Sequence, residues 1–127
     1  MKAAVYRGMR DVQVQEWPTP TPGPGEVLIR VAAAGICGSD AAEFSLGPQL
    51  VPQGEDGHVD PVILGHEFAG TIEAVGEGVT GFALGARVVC GAGISCGECH
   101  MCRKGRTNLC TSYHTVGLHK DGGLAGY

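Results

Sequence analysis

Cys96, Cys99, Cys102 and Cys110 are separated by two, two and seven residues, a spacing that lets four thiolates wrap one ion. The short gaps bring three sulfurs into one compact stretch of backbone, and the longer gap returns the fourth from the far side. A closed tetrahedral set of four cysteines suits a structural zinc and leaves no position for a substrate. A second set is more dispersed. Cys37, His66 and Glu67 are a thiol, an imidazole and a carboxylate at strand ends. Such a trio can converge on an ion and leave one position open, the pattern of a zinc that polarises a bound oxygen. Taken alone, a single cysteine and a lone histidine are more often packing residues, and His66-Glu67 also fits a surface pair. Ser39 suits a helix cap or a hydroxyl that passes on an alcohol's proton. Asp40 is spaced to bond the second nitrogen of His66 and fix its tautomer. Cys90 stands outside both sets and reads as a buried strand residue. His100 finds no vacancy beside four cysteines, and His58, His114 and His119 lie in loops with no ligand pattern.

With 127 residues the chain has room for one domain with a real core. A net charge of −4 gives no basic footprint, which argues against nucleic acid as the main partner. No apolar run reaches the length of a membrane span, and the start Met1-Lys2-Ala3-Ala4-Val5-Tyr6-Arg7 lacks the apolar core of a signal segment. The expected setting is the cytoplasm, where six cysteines argue for metal before disulfides. Three disulfides in a secreted domain are the alternative. The 22 glycines are dispersed without a period, so they signal turns between short strands.

The elements that must position these side chains follow from the pattern. Lys2–Arg7 and Val12–Glu16 read as strands joined by a turn at Gly8. Pro18 to Gly25 lacks backbone donors and is expected to run extended along the surface, joining strands or acting as a polyproline ligand. In Glu26–Ala34, Val27, Ile29 and Val31 share one face and Arg30 takes the other. Ser39-Asp40 is the expected N-cap of a short helix at Ala41–Phe44. Residues 47–61 read as irregular loop, Phe68–Val75 and Ala86–Cys90 as strands, and 91–112 as loop with one helical turn. Gly117–Tyr127 reads as a glycine-rich end without a capping element. The predicted class is mainly β with short helices.

Three motifs occur in order: Gly35-Ile36-Cys37-Gly38-Ser39-Asp40, Gly65-His66-Glu67-Phe68-Ala69-Gly70, and the cysteine cluster closed by Asn108-Leu109-Cys110. With Val75-Gly76-Glu77-Gly78-Val79 and Gly122-Gly123-Leu124-Ala125, they cover nearly the whole chain. The chain resembles the zinc-dependent medium-chain alcohol dehydrogenases, in their N-terminal GroES-like catalytic domain. The resemblance implies a partly open GroES-like β-barrel over residues 1–127, with an inserted zinc-binding lobe at 91–112. It implies Cys37 and His66 as ligands of a catalytic zinc, and Glu67 as a direct or switching ligand. Ser39 becomes the proton-relay hydroxyl, and Cys96, Cys99, Cys102 and Cys110 hold the structural zinc. Gly38 and the loop containing Gly47-Pro48 look most like butanediol and polyol dehydrogenases, with threonine dehydrogenases the near alternative. The sequence departs from the family at Ala86, where Gly-Asp-Arg-Val is usual, and at Gly126, where glutamate is common before the tyrosine.

No Gly-x-Gly-x-x-Gly follows a strand, and Gly91-Ala92-Gly93 lacks the helix that would hold a pyrophosphate. The resemblance therefore implies a separate Rossmann domain for NAD or NADP, and a chain that is a fragment, inactive alone. The full-length protein is expected to be a homo-oligomer. Its expected reaction oxidises a secondary alcohol or diol such as 2,3-butanediol, hydride passing to the nicotinamide. A non-enzymatic zinc-binding module and an iron–sulfur carrier are the competing classes. The ferredoxin run closes its set after three residues with a following proline, unlike Cys110-Thr111.

Overall fold

A computed structural model describes all 127 residues. Two three-stranded antiparallel sheets carry the fold, and they do not close into a barrel. In the first, β1 (Lys2–Gly8) lies between β2 (Asp11–Glu16) and β4 (Val62–Ile63). In the second, β5 (Phe68–Val75) lies between β3 (Val27–Ala34) and β6 (Arg87–Val89). Helix α1 (Gly38–Leu46) leaves the end of β3. Beyond β6 come the β7/β8 hairpin (Gly93–Ile94 with His114–Thr115), helix α2 (His100–Arg103) and a 3₁₀ turn at Thr107–Leu109. No helix is long and apolar enough to cross a membrane.

The core is small and lies under β1 and β4. Tyr6, Val51, Val59, Val62, Leu64 and Leu118 form one buried cluster, and Ala3, Val5 and Ile63 form a second. In β3 Val27, Ile29 and Val31 are half-buried and Arg30 is exposed beside Glu73 at 3.2 Å, as the alternation predicts. Residues 17–23 carry no regular element and simply join the two sheets, Trp17, Pro18 and Pro20 lining a cavity of about 220 Å³ between them.

Three expectations need correction. The helix is longer than Ala41–Phe44, and its N-cap is Cys37 rather than Ser39-Asp40. Asp40 sits at N3, where its Oδ2 accepts the Cys37 N–H at 2.8 Å, as the acid of a capping box does. Within residues 47–61 the loop reading holds, but Val62–Ile63 then pairs with β1 as a two-residue strand too short to leave a pattern. Third, the end 117–127, read only as glycine-rich and without a capping element, is built into the fold. Leu118, Gly122 and Gly123 are buried, and Ala125 bridges Ala3. Gly126 N–H donates to Lys2 and its carbonyl accepts from Val31, so this segment ties β1 of one sheet to β3 of the other.

Candidate functional site

Cys37 arrives at the site because β3 ends and a helix begins there. Gly35 N–H donates to the Glu67 carbonyl at 2.7 Å, which lays the strand exit against the His66-Glu67 segment. A Cβ at Gly35 would lie 2.9 Å from Glu67 Oε2, so only glycine lets that carboxylate lie across the backbone. His66 arrives from the other side on a tightly held path. Gly122, Gly123 and Leu124 donate to the carbonyls of Ile63, Gly65 and Leu64. Gly65 has φ +96°, and a Cβ there would come within 2.8 Å of Leu124 N. The glycine-rich end is thus the support on which His66 rests.

These approaches bring the ligand atoms of Cys37, His66 and Glu67 within 4.8 Å of one another. Asp40 is 3% exposed, and its Oδ1 faces His66 Nδ1 at 3.6 Å. Both atoms are buried and have no other partner, and an unpaired buried polar group costs roughly 1–3 kcal/mol. With its proton on Nδ1, facing Asp40, the imidazole would turn its Nε2 lone pair to the interior of the trio. Ser39 Oγ lies 3.3 Å from that Nε2. The set is therefore one soft and two harder donors, oriented by a buried carboxylate, with a hydroxyl beside the histidine donor. Such a set fits zinc.

The four-cysteine cluster is built differently. All six cysteines are free thiols, so the disulfide alternative does not hold. Cys96 Sγ lies 3.5 Å from Cys110 Sγ and 4.0 Å from Cys102 Sγ. Those separations bracket the edge of about 3.8 Å that a tetrahedron with zinc–sulfur bonds of about 2.3 Å requires. Backbone N–H groups point at the sulfurs: Cys96 and Ser112 donate to Cys110 Sγ and Cys99 donates to Cys96 Sγ, each at 3.3 Å. The N–H groups of Cys102 and then Thr111 lower the Cys99 thiol to about 5. The Cys96 N–H is the largest cause lowering Cys110. Burial, followed by the neighbouring Cys99, pushes Cys102 up to about 11. The backbone N–H groups thus favour negative sulfur at Cys99 and Cys110, while Cys102 is the thiol whose proton a structural zinc would have to displace. His100 is exposed at the start of α2.

Cys90 belongs to neither cluster. It is half-buried with its thiol pushed up by burial, and it lines a depression that also contains His66 and Glu67. Sequence reasoning missed Glu43, which is 0% exposed on α1. Its carboxylate accepts from Gln49 N–H and, at 2.6 Å, from Leu50 N–H, holding the loop after the helix. The available signal was its spacing three residues after Asp40, which places both acids on one helix face.

Two sheets carrying an open thiol–imidazole–carboxylate set beside a closed thiolate lobe define the class of a metal-dependent dehydrogenase domain. Residues 23–127 match the family described as alcohol dehydrogenase GroES-like domain, and the chain belongs to the zinc-dependent medium-chain alcohol dehydrogenases. It is 43% identical over 113 residues to sorbitol dehydrogenase of Bacillus subtilis, covering 87% of this chain and 30% of that protein. Among solved structures, a protein described as a zinc-binding dehydrogenase from Sinorhizobium meliloti 1021, bound to NADP, superposes with a TM-score of 0.83 at 38% identity over 99% of this chain and 34% of that one. The 2R,3R-butanediol dehydrogenase of Bacillus subtilis superposes with a TM-score of 0.81 at 34% identity, over 96% and 35% of the two chains. The chain spans about a third of the length of these relatives.

Proposed function

We propose that residues 1–127 are the GroES-like catalytic part of a zinc-dependent alcohol dehydrogenase that oxidises a secondary alcohol or diol with NAD or NADP. The observation that carries this reading is the convergence of Cys37, His66 and Glu67 within 4.8 Å, from segments far apart in sequence. These three residues hold the catalytic zinc, and Cys96, Cys99, Cys102 and Cys110 hold the structural one in the lobe 91–112. When bound, the catalytic ion supplies Lewis acidity that makes an alcohol's hydroxyl proton easier to lose. Ser39, beside His66 Nε2, would relay that proton: its Oγ takes the alcohol's proton as it gives up its own toward solvent. Asp40 keeps the imidazole proton on Nδ1, so the donor nitrogen stays aimed inward. Glu67 lies across Gly35 and stands at the edge of the set, where a carboxylate can bind directly or swing away.

Hydride leaves the carbinol carbon for a nicotinamide, which a nucleotide-binding domain supplies. The NADP bound by the Sinorhizobium meliloti structure supports that partner. Six unpaired thiols support a reducing setting, the cytoplasm. The test is NAD(P)-dependent oxidation of 2,3-butanediol by protein that joins this chain to a nucleotide-binding domain. The expected result is activity that Cys37→Ser abolishes while the lobe keeps its zinc. Unchanged turnover in Cys37→Ser would refute the assignment.

A further inference from the structure

We infer that Glu43 is a positioning residue of the open metal set: its buried carboxylate fixes where α1 lies, and thereby where Cys37 Sγ and Ser39 Oγ stand relative to His66. The inference rests on the metal-site reading above and adds a residue that acts on the site from the far end of the helix. A helix on a protein surface ordinarily docks through an apolar stripe. Helix α1 does not. Its two buried residues are Asp40 and Glu43, while Phe44 is 42% and Leu46 68% exposed. Hydrogen bonds therefore decide where the helix sits. Near its start they are long: Ser39 Oγ is 3.3 Å and Asp40 Oδ1 3.6 Å from the ring nitrogens of His66, beyond the usual range. The short bond there, from Cys37 N–H to Asp40 Oδ2 at 2.8 Å, lies within the helix start itself.

At the other end the ties to the core are short. Leu50 N–H donates to Glu43 Oε1 at 2.6 Å, and Gln49 N–H lies 3.0 Å from both carboxylate oxygens. Neither N–H has a backbone acceptor. The next residue, Val51, is buried in the same cluster as Tyr6, so the carboxylate grips a loop rooted in the core. Tyr6 Oη donates to the Glu43 carbonyl at 3.0 Å, and Arg10 N–H donates to the Phe44 carbonyl at 2.7 Å. A carboxylate in this place is costly twice over. It is 0% exposed with no ion-pair partner, and it stands in the last turn of a helix, where the dipole disfavours an anion. What it supplies is grip, since hydrogen bonds to a carboxylate are shorter and stronger than neutral ones. From Glu43 back to Cys37 is about 9 Å along the axis at 1.5 Å per residue, and a nine-residue helix moves as one body. Zinc–ligand distances hold to about 0.2 Å, so a small tilt at the gripped end is felt at the metal set.

The test uses the full-length NAD(P)-dependent enzyme containing this chain, at a temperature where circular dichroism shows each variant folded. Glu43→Gln keeps the side chain's size but turns an amide donor toward the Gln49 and Leu50 N–H groups. Tyr6→Phe removes a different tie at the same end and leaves the carboxylate in place. In Glu43→Gln, a chelator is expected to strip zinc from Cys37, His66 and Glu67 at roughly tenfold lower concentration, as loss of a supporting partner does. Zinc in the four-cysteine lobe is held as in the parent. Cobalt placed in the open set is expected to show a changed visible absorption band, a readout of ligand geometry that fold stability alone does not move. The kcat falls by roughly tenfold or more, the scale of a misplaced group, while KM for the alcohol moves far less. Tyr6→Phe shifts affinity and spectrum in the same direction by a smaller factor. A folded Glu43→Gln enzyme with lower melting temperature but parental zinc affinity, cobalt spectrum and kcat overturns the inference, because Glu43 then only holds its loop. If Glu43→Gln does not fold, Tyr6→Phe decides alone, and parental affinity and spectrum there overturn it. A parent enzyme that binds neither zinc nor cobalt at Cys37 and His66 overturns the metal-site reading and this inference with it.

Discussion

Cys37 serves the site twice, through its backbone and through its sulfur. Its N–H is taken by Asp40 Oδ2 at 2.8 Å, while Asp40 Oδ1 faces His66 at 3.6 Å. One carboxylate therefore couples the helix start to the histidine orientation. Asp40→Asn is expected to weaken zinc at Cys37/His66/Glu67 by about 10–100-fold, as loss of such a supporting carboxylate does. Chelator competition reads this, and zinc in the four-cysteine lobe stays unchanged. Ser39→Ala keeps the ion and lowers turnover of the holoenzyme by about 10²–10⁴, the range for a lost proton-transfer group.

Among the elements, legibility tracked how local the determining force was. Phe68–Val75 was readable to its ends because a run of strand-forming residues is bounded by turn glycines. The gathering of Cys37, His66 and Glu67, and of the four clustered cysteines, was readable because residue type and order restrict which side chains can share a site. Helix α1 was misjudged because its docked face carries Asp40 and Glu43, two buried acids, where sequence reasoning expects apolar residues. Their partners, Cys37, His66 and the loop at Gln49-Leu50, become neighbours only once the chain folds. The packing of the end 117–127 left no pattern for a related reason. Its glycines signal turns by composition, yet Gly122 and Gly123 are there so that two backbones can meet at Ile63 and Gly65. Gly65→Ala tests that reading. It places a Cβ at positive φ and against Leu124, and a cost of about 1–3 kcal/mol is expected for such strain. Denaturant unfolding should show the loss, together with weaker zinc at His66. A variant as stable as the parent would mean the crossing is not tight.

Across the whole molecule, the two candidate zinc sets have different relations to the fold. In residues 91–112 only Cys102 and Cys110 are buried, and the regular elements are two to four residues long. Little apolar burial holds this lobe, so under the proposed reading metal binding supplies its folding energy. Cys102→Ser is expected to remove one zinc and the hydrogen-exchange protection of 96–112, while β1, β3 and β5 keep theirs. Protection that persists without zinc would show that the lobe folds by itself. The open set stands instead on both sheets and the segment that ties them. The most direct test is zinc content per purified chain, in the parent and in Cys37→Ser/His66→Ala. Two ions in the parent and one in the variant, the remaining ion lost on adding Cys102→Ser, is the expected result. One ion in both would mean that Cys37, His66 and Glu67 hold no metal, and the proposed chemistry would fall with them.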